Sequence, residues 1–342
     1  MSAALLLTFL ASLALTAAWH GYSLHQKRLD VPNARSSHRQ PTPTSGGLGF
    51  CVVSLLGVLA LWGTAALNAR AALLLSLSAI LALLGFADDS VNLGIRVRLL
   101  VQAAVVLLLL CLIAALPPLH VGVWQLAQPV VLSALLFFYG IWQINFYNFM
   151  DGIDGLAVSQ GVFVSLSLAW FCADAGAPAL SVAALGLACT LAGFAFYNLP
   201  PARLFMGDVG SNFLGYAFFA LGLLAVRDAA LDYWTYLILM SGFLVDSTVT
   251  LLARMSSGAV WYHGHRSHAY QLLARYWGSH AKVVVVYTGV NVMWLLPLAL
   301  LSQQYVNQGW WIALLAWGPL ALAVWRIRRQ CMAQDQATVL SQ

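Results

Sequence analysis

Two adjacent carboxylates, Asp88 and Asp89, come directly after the apolar run 71–87. Charged groups are costly to hold next to lipid unless an opposite charge compensates them. The pair therefore predicts a site for a divalent metal ion or for a basic substrate group. The alternative interpretation is the start of a solvated loop.

A second pair of carboxylates occurs in segment 145–155, Asn-Phe-Tyr-Asn-Phe-Met-Asp-Gly-Ile-Asp-Gly. Asp151 and Asp154 are three residues apart, so a helical turn would place both on one face. The glycine after each aspartate would let a ligand approach the backbone closely. An Asx turn would explain one Asp-Gly step, whereas two in tandem between apolar runs indicate a binding site.

A further carboxylate, Asp208, lies in Phe-Met-Gly-Asp-Val-Gly-Ser at the predicted start of a helix. Helix N-termini present free N–H groups to phosphate, and a carboxylate there can bridge the phosphate to Mg²⁺. The alternative role of Asp208 is helix capping alone.

Three histidines and an arginine occur within six residues: His263, His265, Arg266 and His268. This set suits a site for anionic oxygens. Zinc is the rival interpretation, but no thiolate or fourth ligand is near in sequence. The aspartates instead favour Mg²⁺, with Mn²⁺ as the alternative. Acidic residues that hold such an ion, together with Arg and His, are typical of phosphoryl transfer.

One more segment, 35–47, is basic and rich in turn-forming residues and includes Arg39. Alone, it is equally well explained as a positively charged flank of a membrane span.

The composition assigns these motifs to a membrane protein. Of 342 residues, 61% are hydrophobic and 8% charged, and the mean hydropathy is +0.83. A soluble domain carries about a quarter charged residues, so lipid must be the solvent for most of this chain. Spans of about 20 residues are expected. Eleven apolar runs are candidates: 2–24, 47–67, 71–87, 99–116, 129–146, 158–173, 179–197, 210–226, 233–253, 282–301 and 309–325.

Orientation follows from the basic residues, because cytoplasmic loops carry excess Lys and Arg. With the N-terminus in the periplasm, 14 of the 16 Lys and Arg fall in inner segments, and nucleic-acid binding is not needed to explain the positive charge. The aspartates of the motifs then lie in inner loops. We predict an all-α, polytopic bundle of 10–11 transmembrane helices and one domain, 1–342. The active site is built by inner loops 25–46, 88–98, 147–157, 198–209 and 254–281.

Taken together, these segments resemble the polyprenyl-phosphate N-acetylhexosamine-1-phosphate transferase superfamily, which includes MraY, WecA and WbpL. The resemblance runs from about Pro32 to Gln271 and keeps the family's order of motifs. It implies transfer of N-acetylhexosamine-1-phosphate from a UDP-sugar to undecaprenyl phosphate in the bacterial inner membrane, with release of UMP. A homodimer is expected from the resemblance alone.

The resemblance also implies roles for individual residues. Asp208 would be the principal Mg²⁺ ligand, and Asp88 and Asp89 would be catalytic. The substrate-binding residues would be Arg39, Asn148, Asp151, Asp154, Asn198, Phe205, His263, His265, Arg266 and His268. Within this set, Asp154 would lie near uracil, Phe205 would stack on it and Asn198 would help to hold the nucleoside.

Two departures from the family pattern bear on these roles. Asn92 stands where many relatives have a third aspartate, so it receives no catalytic role. The histidine segment reads His-Arg-Ser-His-Ala-Tyr-Gln instead of a triple histidine, which resembles the WbpL-type enzymes that start O-antigen units. Lipopolysaccharide synthesis is therefore favoured over the peptidoglycan, teichoic acid and enterobacterial common antigen pathways.

Two other classes of protein share some of these features. A secondary transporter also has many spans and buried acids, but its acids tend to lie near the bilayer midplane and its halves are often repeated. No repeat occurs here, and the acids collect at one interface. An aromatic prenyltransferase would carry two Asn-Asp-x-x-Asp motifs and would lack the Phe-Met-Gly-Asp and histidine segments.

Overall fold

The structure, a computed structural model, describes residues 2–32, 40–258 and 265–340. Fifteen α-helices occupy most of them. Their bounds are α1 (Ser2–His25), α2 (Gly47–Gly63), α3 (Ala69–Ser76), α4 (Ser78–Val91), α5 (Ile95–Leu112), α6 (Pro129–Phe149), α7 (Leu156–Asp174), α8 (Pro178–Asn198), α9 (Gly207–Arg227), α10 (Tyr233–Leu239), α11 (Ser241–Ser256), α12 (Ala269–Trp277), α13 (His280–Val290), α14 (Leu296–Gln304) and α15 (Gly309–Leu340).

Two short antiparallel hairpins accompany the helices. Strand β1 (Leu29–Asp30) pairs with β2 (Thr42–Pro43), and β3 (Leu119–Val121) pairs with β4 (Trp124–Leu126). A π-helical turn at Asn291–Leu295 joins α13 to α14, and a 3₁₀ turn at Val306–Gln308 precedes α15. The predicted all-α class is confirmed, because these hairpins are small additions to a helical bundle.

The helices account for the eleven predicted spans. Within the described residues, nine helical segments are long and apolar enough to cross a membrane, with α3 and α4 forming one of them. Helices α10 and α11 form a tenth that is bent by 78°, and α2 is a shorter apolar helix of 17 residues. A polytopic helical membrane protein is thereby confirmed, while the side on which the N-terminus lies stays a prediction.

The segments that were predicted as inner loops contain more helix than expected. Asp88 and Asp89 do not follow a helix but lie in the last turn of α4. Helix α4 runs on to Val91 and ends at Asn92. Asn92 adopts the left-handed conformation that asparagine tolerates at helix C-termini. Segment 254–281 likewise contains the whole of α12. In contrast, Asp151 and Asp154 do not share a helical face, since 151–155 is non-helical.

Helix α9 runs through the centre of the bundle. Every residue from Val209 to Val226 is buried. Small residues permit this, since membrane helices associate by close packing and not by exclusion of water. At Gly47, for example, an added Cβ would overlap the backbone of Gly210, so α2 and α9 touch directly.

The bend between α10 and α11 is held by polar side chains inside the bundle. The carbonyl of Leu239, at the break, accepts a hydrogen bond of 3.3 Å from Nε2 of Gln160, and the Oε1 atom of Gln160 accepts one of 2.6 Å from Asn291. Ser241, just after the break, accepts from the Trp317 indole at 2.7 Å. Backbone groups freed by a broken helix must find such partners, because lipid offers none.

Replacing Gln160 by leucine should destabilise the fold. Gln160→Leu keeps the side-chain size but leaves the Leu239 carbonyl and the Asn291 amide without this partner. We expect a loss of roughly 1–2 kcal/mol, the cost of a hydrogen bond inside a membrane bundle, measured by thermal unfolding in detergent. Ser165→Ala is the matched control, since Ser165 is buried in the same helix and its hydroxyl has no hydrogen-bond partner among the described residues. Equal unfolding temperatures for the two variants would contradict this account of the bend.

Candidate active site

A cavity of about 660 Å³ lies where α4, α6 and α8 end and where α7, α9 and α13 begin. It brings together residues that are far apart in sequence. Eight of the predicted site residues line it: Asp88, Asp89, Asn148, Asp151, Asp154, Asn198, Phe205 and Asp208. Arg39 and His263, which were also predicted, lie outside the described residues.

The contact between α4 and α9 places the carboxylates side by side. A Cβ at Gly85 would overlap the carbonyl group of Asp208, so the two backbones touch one turn before the acidic pair. Asp89 then accepts a hydrogen bond of 2.9 Å from the backbone N–H of Asp208 and one of 2.7 Å from the Ser45 hydroxyl. Asp89 thus holds the start of α9, because the first N–H groups of a helix have no partner within it.

The other member of the pair, Asp88, is buried and bound to Arg98. The guanidinium donates to Asp88 Oδ2 at 2.6 Å, and the Leu93 N–H donates to Oδ1 at 2.7 Å. The same Arg98 nitrogen lies 3.7 Å from Asp208 Oδ2. Sequence reasoning gave Arg98 no role. Arg96 lies in the same first turn of α5 but is exposed, so spacing alone could not choose between them.

Asp208 is oriented from a third helix. Asn148, near the end of α6, donates to Asp208 Oδ1 at 2.7 Å and to the Ser211 hydroxyl at 2.9 Å. Since one amide group bridges two residues of α9, the Asp208 carboxylate is fixed while it still faces the cavity.

Negative charge exceeds positive charge around Asp88, Asp89, Asp151 and Asp208. None of the described residues donates a hydrogen bond to the Asp151 carboxylate. Burial raises the pKa of Asp151 well above its usual range, and the charges of Asp208, Asp89 and Asp154 raise it further. Among the described residues of the lining, Asp88, Asp89, Asp151 and Asp208 therefore face one guanidinium, that of Arg98, an imbalance that a cation would relieve.

The chemistry of these ligands fits Mg²⁺. No three acidic, histidine or cysteine side chains in the described part of the chain converge closely enough to enclose a metal ion by themselves. Mg²⁺, however, is usually bound by one or two carboxylates together with substrate phosphates. Asp208, which contacts Arg98 only at 3.7 Å and lines the cavity, is best placed to supply such a carboxylate.

A second part of the cavity lining contains Asp154 and His280. Nδ1 of His280 lies 3.2 Å from Asp154 Oδ1 and 3.3 Å from the Asp154 backbone nitrogen, so it can donate to the first when protonated or accept from the second when neutral. The Ala202 N–H donates to Asp154 Oδ2 at 3.0 Å. Burial alone would raise the pKa of Asp154, but the His280 and Ala202 interactions outweigh it and lower the pKa. His280 was not predicted, since it begins a helix that reads as an ordinary span.

Asn198 and Phe205 also line the cavity. Nδ2 of Asn198 donates to the Leu204 carbonyl at 3.0 Å, and the Phe205 N–H donates to the Pro43 carbonyl at 2.8 Å. Oδ1 of Asn198 is buried and has no hydrogen-bond partner among the described residues. Buried acceptors are rarely left unpaired, so this atom suits a donor group on a ligand.

The described part of the histidine segment lies beside the cavity and not in its lining. His265 and His268 stack with ring centroids 5.0 Å apart, and His268 is buried against Asp246. Burial, with the nearby charges of His268, Arg254 and Arg328, lowers the pKa of His265 to about 3. His265 is therefore neutral at physiological pH. Arg266 is also absent from the lining, and the neighbouring Gln271 lines the cavity instead.

Two Asp→Asn substitutions three residues apart along the chain should change stability in opposite directions at pH 7. Asp151→Asn removes a carboxylate whose pKa is raised in the folded state, which penalises folding at any pH above the unfolded pKa of about 3.9. Asp154→Asn removes a carboxylate whose pKa is lowered in the folded state. That lowered pKa stabilises the fold at any pH above the unfolded pKa of about 3.9. We expect shifts on the order of 1 kcal/mol, upwards for Asp151→Asn and downwards for Asp154→Asn, in thermal unfolding with a chelator present. If both variants lost stability equally, the charge excess would not be as described.

Comparison with known proteins agrees with this geometry. A sequence model described as glycosyl transferase family 4 matches residues 71–226. A probable undecaprenyl-phosphate N-acetylglucosaminyl 1-phosphate transferase of Bacillus subtilis (strain 168) is 28% identical over 265 residues, which cover 75% of this chain and 73% of the relative.

Two phospho-N-acetylmuramoyl-pentapeptide-transferases are also similar. The protein of Lactiplantibacillus plantarum is 30% identical over 231 residues, 63% of this chain and 70% of the relative. That of Synechococcus sp. (strain WH7803) is 31% identical over 255 residues, 67% and 65% respectively. The matched family region contains the acidic pair, the Asp-Gly segment and Asp208. The chain belongs to glycosyl transferase family 4.

Proposed function

We propose that this chain transfers N-acetylhexosamine-1-phosphate from a UDP-sugar to undecaprenyl phosphate and releases UMP. We further propose that it acts at the cytoplasmic face of the bacterial inner membrane, where the product begins an O-antigen unit of lipopolysaccharide. The partners would be the two substrates and the bilayer, with Mg²⁺ as the cofactor.

One observation carries the proposal: among the described residues, six carboxylates and one guanidinium line a cavity at one end of a membrane-embedded helical bundle. Phosphates and a divalent cation together would balance these charges. The name of the Bacillus subtilis relative supplies the carrier, undecaprenyl phosphate, and the transferred group, an N-acetylglucosaminyl 1-phosphate. A secondary transporter remains the alternative from another class, and the gathering of the acids at the helix ends disfavours it.

The proposed donor spans the cavity from end to end. Its uracil would lie at the end formed by Asp154, His280 and Phe205, where Phe205 offers an aromatic face for stacking. The buried, unpaired Oδ1 of Asn198 would accept a hydrogen bond from the base or the ribose. The pyrophosphate would then lie among the carboxylates at the opposite end.

In the proposed reaction, an oxygen of the carrier phosphate forms a bond to the sugar-bearing β-phosphorus. The bond between that phosphorus and the bridging oxygen breaks, and its electron pair leaves with UMP. Asp88 or Asp89 accepts the proton when the carrier is a monoanion. A phosphate monoester has a second pKa near 6. Most carrier molecules are therefore dianions at neutral pH and have no proton for a base to remove.

The contacts of the acidic pair favour this single step over a covalent aspartyl intermediate. Asp88 accepts from Leu93 and Arg98, and Asp89 accepts from Ser45 and the Asp208 N–H. All four carboxylate oxygens are therefore engaged, which makes each a poor nucleophile. Arg98 would bind the incoming phosphate, because its guanidinium lies between Asp88 and Asp208.

Asp208 would hold Mg²⁺ together with oxygens of the pyrophosphate. When bound, the ion would stabilise negative charge on the leaving phosphate. Asn148 would keep the Asp208 carboxylate in position through its 2.7 Å hydrogen bond. Asp151, which has no hydrogen-bond donor among the described residues, would face the same ion or phosphate.

The choice of pathway rests on the sequence of the histidine segment. His-Arg-Ser-His-Ala-Tyr-Gln at 265–271 resembles the WbpL-type enzymes. A phospho-N-acetylmuramoyl-pentapeptide transferase is the second candidate, because several relatives carry that name.

The test is an assay of the purified enzyme with undecaprenyl phosphate and Mg²⁺, reading UMP. The donors would be UDP-N-acetylglucosamine, UDP-N-acetylfucosamine, UDP-N-acetylquinovosamine and UDP-N-acetylmuramoyl-pentapeptide. We expect release of UMP with one of the first three. If no donor led to release of UMP while an active relative, assayed as a control, released it, the proposal would be wrong. If only the pentapeptide donor led to release of UMP, the enzyme would belong to peptidoglycan synthesis.

The same assay tests Asp208. Asp208→Ala should reduce turnover by at least about 10²-fold, the usual cost of losing one electrostatic contact to a developing charge. Asp174→Ala is the matched control, because Asp174 is exposed at the far end of α7. Retained activity in Asp208→Ala would remove this residue from the metal site.

A further inference from the structure

A buried carboxylate outside the cavity, Asp246, joins three helices. It lies on α11, is 1% exposed and does not line the cavity. A charge so placed in a membrane bundle is expensive unless it is fully compensated. The catalytic scheme above assigns it no role.

The hydrogen bonds to Asp246 come mainly from the start of α12. The Ala269 N–H donates to Oδ1 at 2.9 Å, and the Tyr270 N–H donates to Oδ2 at 3.1 Å. These are the first two N–H groups of the helix, which have no partner within it. Asp246 therefore caps α12 from a different helix, and a carboxylate there is also favoured by the helix dipole.

Further contacts fix the carboxylate and the segment that it caps. The Tyr287 hydroxyl on α13 donates to Asp246 Oδ2 at 2.6 Å, and Thr250 donates to Oδ1 at 3.2 Å. From α15, Arg328 donates to the carbonyl of Ser267. The described part of the histidine segment is thus tied to α11 and α15, and through Asp246 to α13.

Helix α12 in turn touches the substrate cavity. Gln271, the third residue of α12, lines the cavity. The Tyr270 hydroxyl donates to the Phe149 carbonyl at 2.8 Å, two residues before Asp151, and a Cβ on Gly152 would overlap that hydroxyl. The position of α12 therefore sets one wall of the cavity and supports the Asp151–Asp154 turn.

We propose that Asp246 is a positioning residue for the donor site, which acts by holding Tyr270 and Gln271 against the cavity. This inference rests on the proposed function only in taking the cavity as the UDP-sugar site. Asparagine cannot fully replace the carboxylate, because the Ala269 N–H bonds one carboxylate oxygen and the Tyr270 N–H the other. The amide nitrogen of asparagine only donates, so one of these two N–H groups would lose its acceptor.

The test compares Asp246→Asn with Asp232→Asn. Asp232 is the N-cap of α10, beyond the far end of α9, where its Oδ1 accepts from the Trp234 and Thr235 N–H groups at 2.7 and 3.2 Å. Both variants lose a capping carboxylate, but only Asp246 caps a helix that lines the cavity. Assays are run below the unfolding temperature of each variant.

We expect Asp246→Asn to raise KM for the UDP-sugar roughly tenfold with kcat changed much less, the pattern of lost ground-state binding. Asp232→Asn should leave KM unchanged. Gln271→Ala should raise KM as well, and the double variant Asp246→Asn/Gln271→Ala should show less than the product of the two effects, since both act through one contact. A wild-type KM for Asp246→Asn, or an equal rise in Asp232→Asn, would overturn the proposal.

Hydrogen exchange separates this inference from the proposed function. Amides 269–277 should exchange faster in Asp246→Asn than in the wild type and in Asp232→Asn, whatever the enzyme's substrate. Unchanged exchange would overturn the anchoring role even if the enzyme is active. Faster exchange in a protein that releases no UMP would support the anchor while contradicting the proposed reaction.

Discussion

The backbones of α4 and α9 touch at Gly85, and the carboxylates of the site are crowded because of this contact. Asp89 takes up the first N–H of α9, while Asp88 and Asp208 share the guanidinium of Arg98. One cation cannot balance these acids together with Asp151. The described residues therefore hold negative charge in excess at the end of a membrane bundle, and the remaining features of the site follow from relieving that excess.

The aspartates divide into two groups according to how well they are compensated. Asp154, Asp232 and Asp246 each accept hydrogen bonds from backbone N–H groups, and each holds a turn or helix start in place. Asp151 receives no such hydrogen bond from the described residues, and burial and its acidic neighbours raise its pKa. Uncompensated groups of this kind are expected at sites that bind cations or phosphates, whereas the compensated ones position the walls around them.

Much of this arrangement could be predicted from the sequence. The apolar runs predicted every span, since length and hydropathy decide membrane helices, and the motifs predicted eight residues of the cavity lining. Local spacing did not predict contacts made across the bundle. Arg98 and Arg96 are equivalent until α5 is packed on α4, and His280 reads as the start of an ordinary span. Asp88 and Asp89 were expected in a loop because charge usually ends a span, but their contacts with Arg98, Ser45 and the start of α9 let the helix continue through them.

The central claim is that contact between α4 and α9 assembles the carboxylates of the cavity, and Gly85→Ala tests it most directly. A methyl group there would overlap the Asp208 backbone, whereas Gly57→Ala, also in an apolar helix, meets no atom within 4 Å. Displacement of about 1 Å at a reacting centre can reduce a rate by about 10²-fold. We predict that the rate of UMP release falls by about this factor in Gly85→Ala and stays at the wild-type value in Gly57→Ala. Wild-type turnover in folded Gly85→Ala would contradict it.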